Sequence, residues 1–419
     1  MPSKKLIWVL EIILVTGILA SVYLSNLDKI EFHSDESLWI AGSGMFESYL
    51  RLEFNSKIWD ISYTTVTQPP ITRYIAGLGR YIGGYRRPDL NRPWDDMRGF
   101  AFNVRAGAMP SAGLLWWSRL PFVILTMLSI GLGFLLLRKS TGVIAAYVWL
   151  GLFVISPYYL LTLRRAMGES PLVFFTMLTL YLTTQALDSA KEINITKERN
   201  ITFLLVLAGI TSGLAWATKL NGIVTLGTNL VVAGLIGSML NDGLNKKIIH
   251  GIRYGLITSA ACVFTFLAVY PFLWPAPLER TLMMFRNRTQ EMSQQTILYS
   301  GSYMTPVQRL TIIPTRVFHD YASLPIPAVF NFILTALGVW ITLLSLRSLL
   351  AQQDFQSAYI TLPIMAFLTS APIWLSQLDW DRYYMYPVLF ATAFTAIAID
   401  WMILAGLRTI KKYLLQPSG

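Results

Sequence analysis

RLPFVILTMLSIGLGFLLL, residues 119–137, decides the class of fold. Its one charge, Arg119, stands at the first position, and Arg138-Lys139 follow directly. A helix rises about 1.5 Å per residue and a bilayer's hydrocarbon core is about 30 Å thick, so a run of this length and apolarity is sized to cross a membrane. Working outward, comparable runs lie at 6–25, 142–161, 171–188, 201–218, 221–240, 252–272, 326–346, 357–376 and 384–406. The pattern predicts an all-α polytopic membrane protein with about ten transmembrane helices. The connectors near 138–142 and 218–222 are very short.

Composition agrees. Of 419 residues, 54% are hydrophobic and 14% are charged, against roughly 25% charged in a soluble domain. The net charge of +11 is spread over loops between apolar runs. That pattern disfavours nucleic acid and suits membrane lipids with anionic or phosphate-bearing head groups. The one cysteine, Cys262, lies in an apolar run, supports no disulfide and reads as a small buried side chain. The histidines, His33, His250 and His319, are far apart, which excludes His-based metal spacings such as HExxH.

Arg138-Lys139, Lys191/Lys197/Arg199, Lys246-Lys247 and Lys411-Lys412 fall on one side if the spans alternate. The positive-inside rule makes that side cytoplasmic, with both termini there. Residues 26–118 hold ten Arg and Lys on the opposite side, but loops longer than about 60 residues translocate largely regardless of charge. The first span follows Lys4-Lys5 without an A-x-A-like cleavage site, and reads as a retained anchor. The expectation is a single membrane domain over 1–419, with no separate soluble domain. Its two large extracytoplasmic loops are 26–118 and 273–325. Trp39, Trp59, Trp94, Trp116, Trp117 and Trp274 suit these loops to juxtamembrane amphipathic helices.

Ionisable residues at membrane depth are costly and mark function, so the informative places are the mouths of the spans. His33-Ser34-Asp35-Glu36 opens the first loop. Acids in a helix's first turn are favoured by its dipole, so a helix cap competes evenly with a catalytic role. In Gln68-Pro69-Pro70-Ile71-Thr72-Arg73, Pro70 is placed to start a helix, and an ordinary loop-to-helix junction explains it. Arg164-Arg165-Ala166-Met167-Gly168-Glu169 precedes the fourth span. The plain alternative is a snorkelling arginine pair with a dipole-favoured glutamate. Lys219 interrupts two apolar runs, as a turn marker or as an anion-binding cation. Asp381-Arg382-Tyr383-Tyr384 begins the last span, where an aromatic belt with an ion pair accounts for the tyrosines. Gathered at one mouth, these acids and cations suit a lipid-linked phosphosugar: cations hold the phosphate and a carboxylate takes a proton from an acceptor hydroxyl.

Asp35-Glu36 after the first span, Gln68-Pro69-Pro70-Ile71, Arg165-Ala166-Met167-Gly168-Glu169 and Gly213-Leu214-Ala215-Trp216-Ala217-Thr218-Lys219 together resemble the dolichyl-phosphate-mannose–protein mannosyltransferase superfamily. That group includes the lipid A aminoarabinose transferases and has the GT-C fold. The resemblance implies an inverting glycosyltransferase of the cell (inner or plasma) membrane, with its site facing away from the cytoplasm. It would move a sugar from a polyprenyl-phosphate donor to a hydroxyl of a lipid, glycan or protein. It also implies Asp35 as catalytic base with Glu36 beside it. Lys219, Arg382, Arg73 and Arg165 become candidates for the donor phosphate, and Glu169, Gln68, Tyr383 and His319 candidates near sugar, acceptor or metal. The acids Asp35, Glu36 and Glu169 leave room for a divalent metal ion without requiring one. Gln68 stands where the family often has His or Lys before the two prolines, which weakens a phosphate contact there. No MIR-type insertion is present, so protein acceptors are not implied over lipids. The competing readings are a lipid-linked sugar flippase and an inactive membrane scaffold. A flippase predicts ionisable residues near mid-membrane, whereas this chain keeps its charges at span ends.

Overall fold

The computed structural model describes residues 4–191, 195–239, 243–350 and 355–414; the side chains of Lys4, Lys197, Lys411 and Lys412, used above to orient the chain, lie outside the described ones. Among the described residues the protein is helical, with no β-strand beyond an isolated bridge between Tyr303 and Leu378. Helix α1 (Lys4–Tyr23) is followed by five short helices: α2 (Ser34–Ala41), α3 (Gly44–Leu50), α4 (Tyr63–Thr67), α5 (Ile71–Ile82) and α6 (Phe100–Arg105). Next come α7 (Ala112–Ser140), α8 (Val143–Ile155), α9 (Pro157–Thr162), α10 (Glu169–Ser189), α11 (Ile195–Thr218), α12 (Val224–Met239) and α13 (Leu244–Ala268). The second large loop carries α14 (Pro277–Leu298) and α15 (Pro306–Thr315), and α16 (Ala328–Leu350), α17 (Ser357–Leu375) and α18 (Met385–Leu414) complete the described chain.

Nine helices among the described residues are long and apolar enough to cross a membrane. The tenth expected span, 142–161, is divided. Pro157 offers no N–H and drives Ser156 to an extended ψ of 116°, so α8 stops at thirteen residues and α9 starts afresh. The loops hold helices as expected, but α14 is a full 22 residues.

The bundle packs through α7 on α10, α10 on α11, α11 and α12 on α13, and α16 on α18. Small residues set the closest approaches, as at helix contacts in membranes generally. A Cβ at Gly213 of α11 would lie 2.5 Å from the Cys262 carbonyl of α13, and Cys262 is buried.

Two buried ion pairs hold the short helices, one tying α2 to the bundle and one joining α3 to α5. Arg119 at the head of α7 grips Glu36 of α2 through both carboxylate oxygens (2.8 and 2.7 Å) and also donates to the Leu27 and Ile30 carbonyls. Arg80 of α5 pairs with Glu47 of α3 at 2.9 Å and donates to Ser43. All four charged side chains are buried. Removing one partner of such a pair strands a charge, so these contacts fix orientation.

Candidate active site

The short helices α2 and α4, the polar helix α14, the starts of α10 and α18 and the ends of α11 and α17 surround a cavity of about 560 Å³. Asp35, Gln68, Glu169, Lys219, Arg382 and Tyr383 all line it. They come from segments that span nearly the whole chain.

Asp35 reaches the cavity because its neighbours do the capping. His33 is the N-cap of α2: its ring Nδ1 accepts from the Asp35 backbone N–H, and its own N–H donates to Glu36 Oε2 (both 3.1 Å). The cap and the candidate base, weighed above as alternatives for one motif, thus belong to different residues. Glu36 turns away from the cavity. Besides Arg119 it accepts the Ala166 backbone N–H at 2.8 Å, tying α2 to the turn before α10. Asp35 meets the guanidinium of Arg382. Burial pushes its carboxyl up, but the charges of Arg382 and Lys219 outweigh burial and hold it below the usual carboxylate range.

Lys219 ends α11 in an extended conformation (φ −146°, ψ 144°), and a 3₁₀ turn, Leu220–Ile223, leads into α12. Its ammonium contacts Glu169 Oε1 at the start of α10. Arg382 lies over the Trp380 ring, 4.5 Å from its centroid, and its backbone N–H donates to Asp381 Oδ1.

Besides Glu36, three expected residues stand elsewhere. Arg73 is fully buried behind the cavity wall, donating to the Gln68 side chain (2.6 Å) and to the Gln68 and Thr64 carbonyls. Burial lowers it to about 10, which leaves it charged at neutral pH. It therefore positions Gln68, which does line the cavity. Arg165 donates to Glu31, also off the cavity. His319 is exposed and pairs with Asp320 at 2.8 Å. Pro70 is the cap residue of α5, one position before the first helical turn.

The loop helix α14, unread in the sequence, supplies a whole wall. Arg288, Glu291, Met292, Gln295 and Tyr299 line the cavity at helical spacing. Glu291 is their hub: it accepts from Tyr63 (2.5 Å), Arg288 (2.6 Å) and Gln295 (3.2 Å), while Arg288 also donates to the Tyr383 hydroxyl at 3.3 Å. Polar residues at i, i+3 and i+7, Arg288, Glu291 and Gln295, were the available signal.

Among the described residues no group of three or more His, Cys, Asp or Glu side chains gathers as a metal site. Asp35 and Glu169 each face a cation, and Glu36 is spent on Arg119. These acids do not form a ligand set, so no step below uses a metal.

Residues 36–282, well over half of the chain, match the family model described as dolichyl-phosphate-mannose-protein mannosyltransferase. The chain belongs to this family. Solved structures extend the likeness to the fold of nearly the whole chain. ArnT from Cupriavidus metallidurans bound to undecaprenyl phosphate aligns at TM-score 0.55 and 16% identity, over 93% of this chain and 60% of that one. The oligosaccharyltransferase AglB from Archaeoglobus fulgidus, in complex with an inhibitory peptide and a dolichol-phosphate, aligns at TM-score 0.53 and 14% identity, over 99% of this chain and 53% of that one. This member of the mannosyltransferase family therefore has the GT-C fold and spans 60% or less of the length of these structural relatives. A comparison with curated protein sequences gives no match.

Proposed function

We propose that the protein is an inverting glycosyltransferase using a polyprenyl-phosphate sugar, working in the cell membrane on the face away from the cytoplasm. The observation that carries this reading is the joining of Asp35, Lys219 and Arg382 in one cavity. An acid beside two cations, at the mouth of apolar spans, matches an anionic leaving group on a lipid and an acceptor that must lose a proton.

Arg382 and Lys219 hold the donor phosphate, with Arg288 as a third cation on the facing wall. The guanidinium presents a fork of donors suited to phosphate oxygens. The acceptor hydroxyl attacks the anomeric carbon, and its proton passes to Asp35. The new bond from that oxygen to carbon forms as the bond from carbon to phosphate oxygen breaks. The electron pair leaves with the phosphate, where the cations stabilise the growing charge. The products are the inverted glycoside and free polyprenyl phosphate.

Before donor binds, Arg382 rests on Asp35. A phosphate competes for Arg382 and in doing so uncovers the base. Acceptors remain a hydroxyl of a lipid, a glycan or a protein.

The test is an assay in native membranes with a panel of polyprenyl-phosphate hexoses and pentoses, followed by mass spectrometry of products. Transfer from at least one donor to a membrane acceptor is expected. If the protein instead moves an intact donor across the bilayer without product, the transferase reading fails in favour of a flippase.

A further inference from the structure

Two residues that line the cavity, Glu169 and Gln295, each carry a buried acceptor oxygen with no hydrogen-bond partner among the described residues. Glu169 is 2% exposed. Its Oε1 takes the Lys219 ammonium, while its buried Oε2 has no hydrogen-bond partner among the described residues. On the α14 wall, Gln295 gives its Nε2 to Glu291, which leaves its Oε1 buried and likewise unpartnered. Donation to a carboxylate fixes the amide's orientation, because the opposite flip would set oxygen against oxygen. A buried acceptor left without a donor is costly. Each therefore calls for a donor, and a hydroxyl-bearing ligand in the cavity can supply one.

The position of Glu169 is built. A Cβ on the preceding Gly168 would lie 2.7 Å from Lys219 Cε and 3.2 Å from Thr72 Oγ1. The lack of one lets the lysine stem cross to Glu169. An ammonium has three donors. One goes to Glu169, and the others are free for a donor phosphate. Oε2 then lies one carboxylate width from a group that touches the phosphate. In a sugar phosphate the anomeric carbon carries the phosphate, so the closest hydroxyl is the one on the adjacent carbon, C2.

We propose that Glu169 Oε2 accepts a hydrogen bond from the sugar's C2 hydroxyl, so that the donor is a polyprenyl-phosphate sugar with that hydroxyl free. A 2-deoxy sugar leaves the carboxylate oxygen unpartnered. The inference rests on the donor reading above and names the donor class.

The test uses the full chain in lipid nanodiscs, with a polyprenyl-phosphate hexose and its 2-deoxy counterpart. Wild type should favour the hydroxylated donor by about 10- to 100-fold in kcat/KM, the range for a hydrogen bond to a charged group. In Glu169→Ala that ratio should fall to near one, and in Glu169→Gln, kept as the milder variant, to an intermediate value. Binding of sugar-free polyprenyl phosphate should persist in both variants, because Lys219 loses a competitor. Equal use of both donors by wild type, an unchanged ratio in Glu169→Ala, or loss of polyprenyl phosphate binding in both variants would overturn the inference and leave glycosyl transfer standing. No transfer from any donor in the panel would overturn the donor reading with it.

Discussion

At the residue scale the site is a set of exchanges between like-looking side chains. Asp35 and Glu36 are adjacent, yet one faces the cavity and the other is bound to Arg119. Arg382 and Arg165 both follow an acid-rich or basic mouth motif, yet only Arg382 meets Asp35. Spacing shows that such residues sit at the end of a span, but which way each side chain turns depends on partners from five to 347 residues away. That is why Asp35, Lys219 and Arg382 were legible as mouth residues, while the structural duties of Glu36, Arg73 and Arg165 were not. Arg382 and Lys219 depress the Asp35 carboxyl. A base works when deprotonated, so activity falls as pH drops through its pKa. Arg382→Gln removes a lowering charge, raises that pKa and should move the acid limb of the kcat/KM profile to higher pH; an unmoved limb would deny the Asp35–Arg382 coupling. Gly168→Ala should push the lysine stem aside and weaken polyprenyl phosphate binding several-fold, measured by titration in nanodiscs. Unaltered affinity would mean that Lys219 does not hold the phosphate from where it stands.

At the element scale, the long spans were readable from hydropathy because lipid imposes length and apolarity on each one. The exception, 142–161, shows the limit: composition passed it as one span, and the backbone chemistry of Pro157 split it. The short helices on the mouth were foreseeable from their aromatic content. Their attachment was not, because it runs through Glu36–Arg119 and Arg80–Glu47. Arg119→Met leaves Glu36 as a buried lone charge. Breaking a buried pair this way costs about 3–5 kcal/mol, so the heating midpoint of the detergent-purified protein, followed by size-exclusion fluorescence, should drop by several degrees. Arg119→Met with Glu36→Gln should recover part of the loss. An unchanged midpoint in the single variant would show that this clamp contributes little to holding α2.

At the scale of the whole molecule, family and fold put a lipid-facing bundle under a polar cavity, and we propose from the basic loops that this cavity faces away from the cytoplasm. A membrane-impermeant maleimide should therefore label Asn55→Cys in intact cells and Lys139→Cys only after permeabilisation, native Cys262 being buried; the reverse pattern would invert the proposed sidedness. The central claim is that Asp35 takes the acceptor's proton while cations hold the phosphate. It is tested most directly by comparing wild type with Asp35→Asn for transfer from the donor that the panel identifies, alongside binding of that donor. General-base catalysis contributes about 10²- to 10⁴-fold, so Asp35→Asn should lose at least about 100-fold in turnover while donor binding is retained or tightened, Arg382 having lost its carboxylate. Wild-type turnover in Asp35→Asn, with donor bound, would contradict the account.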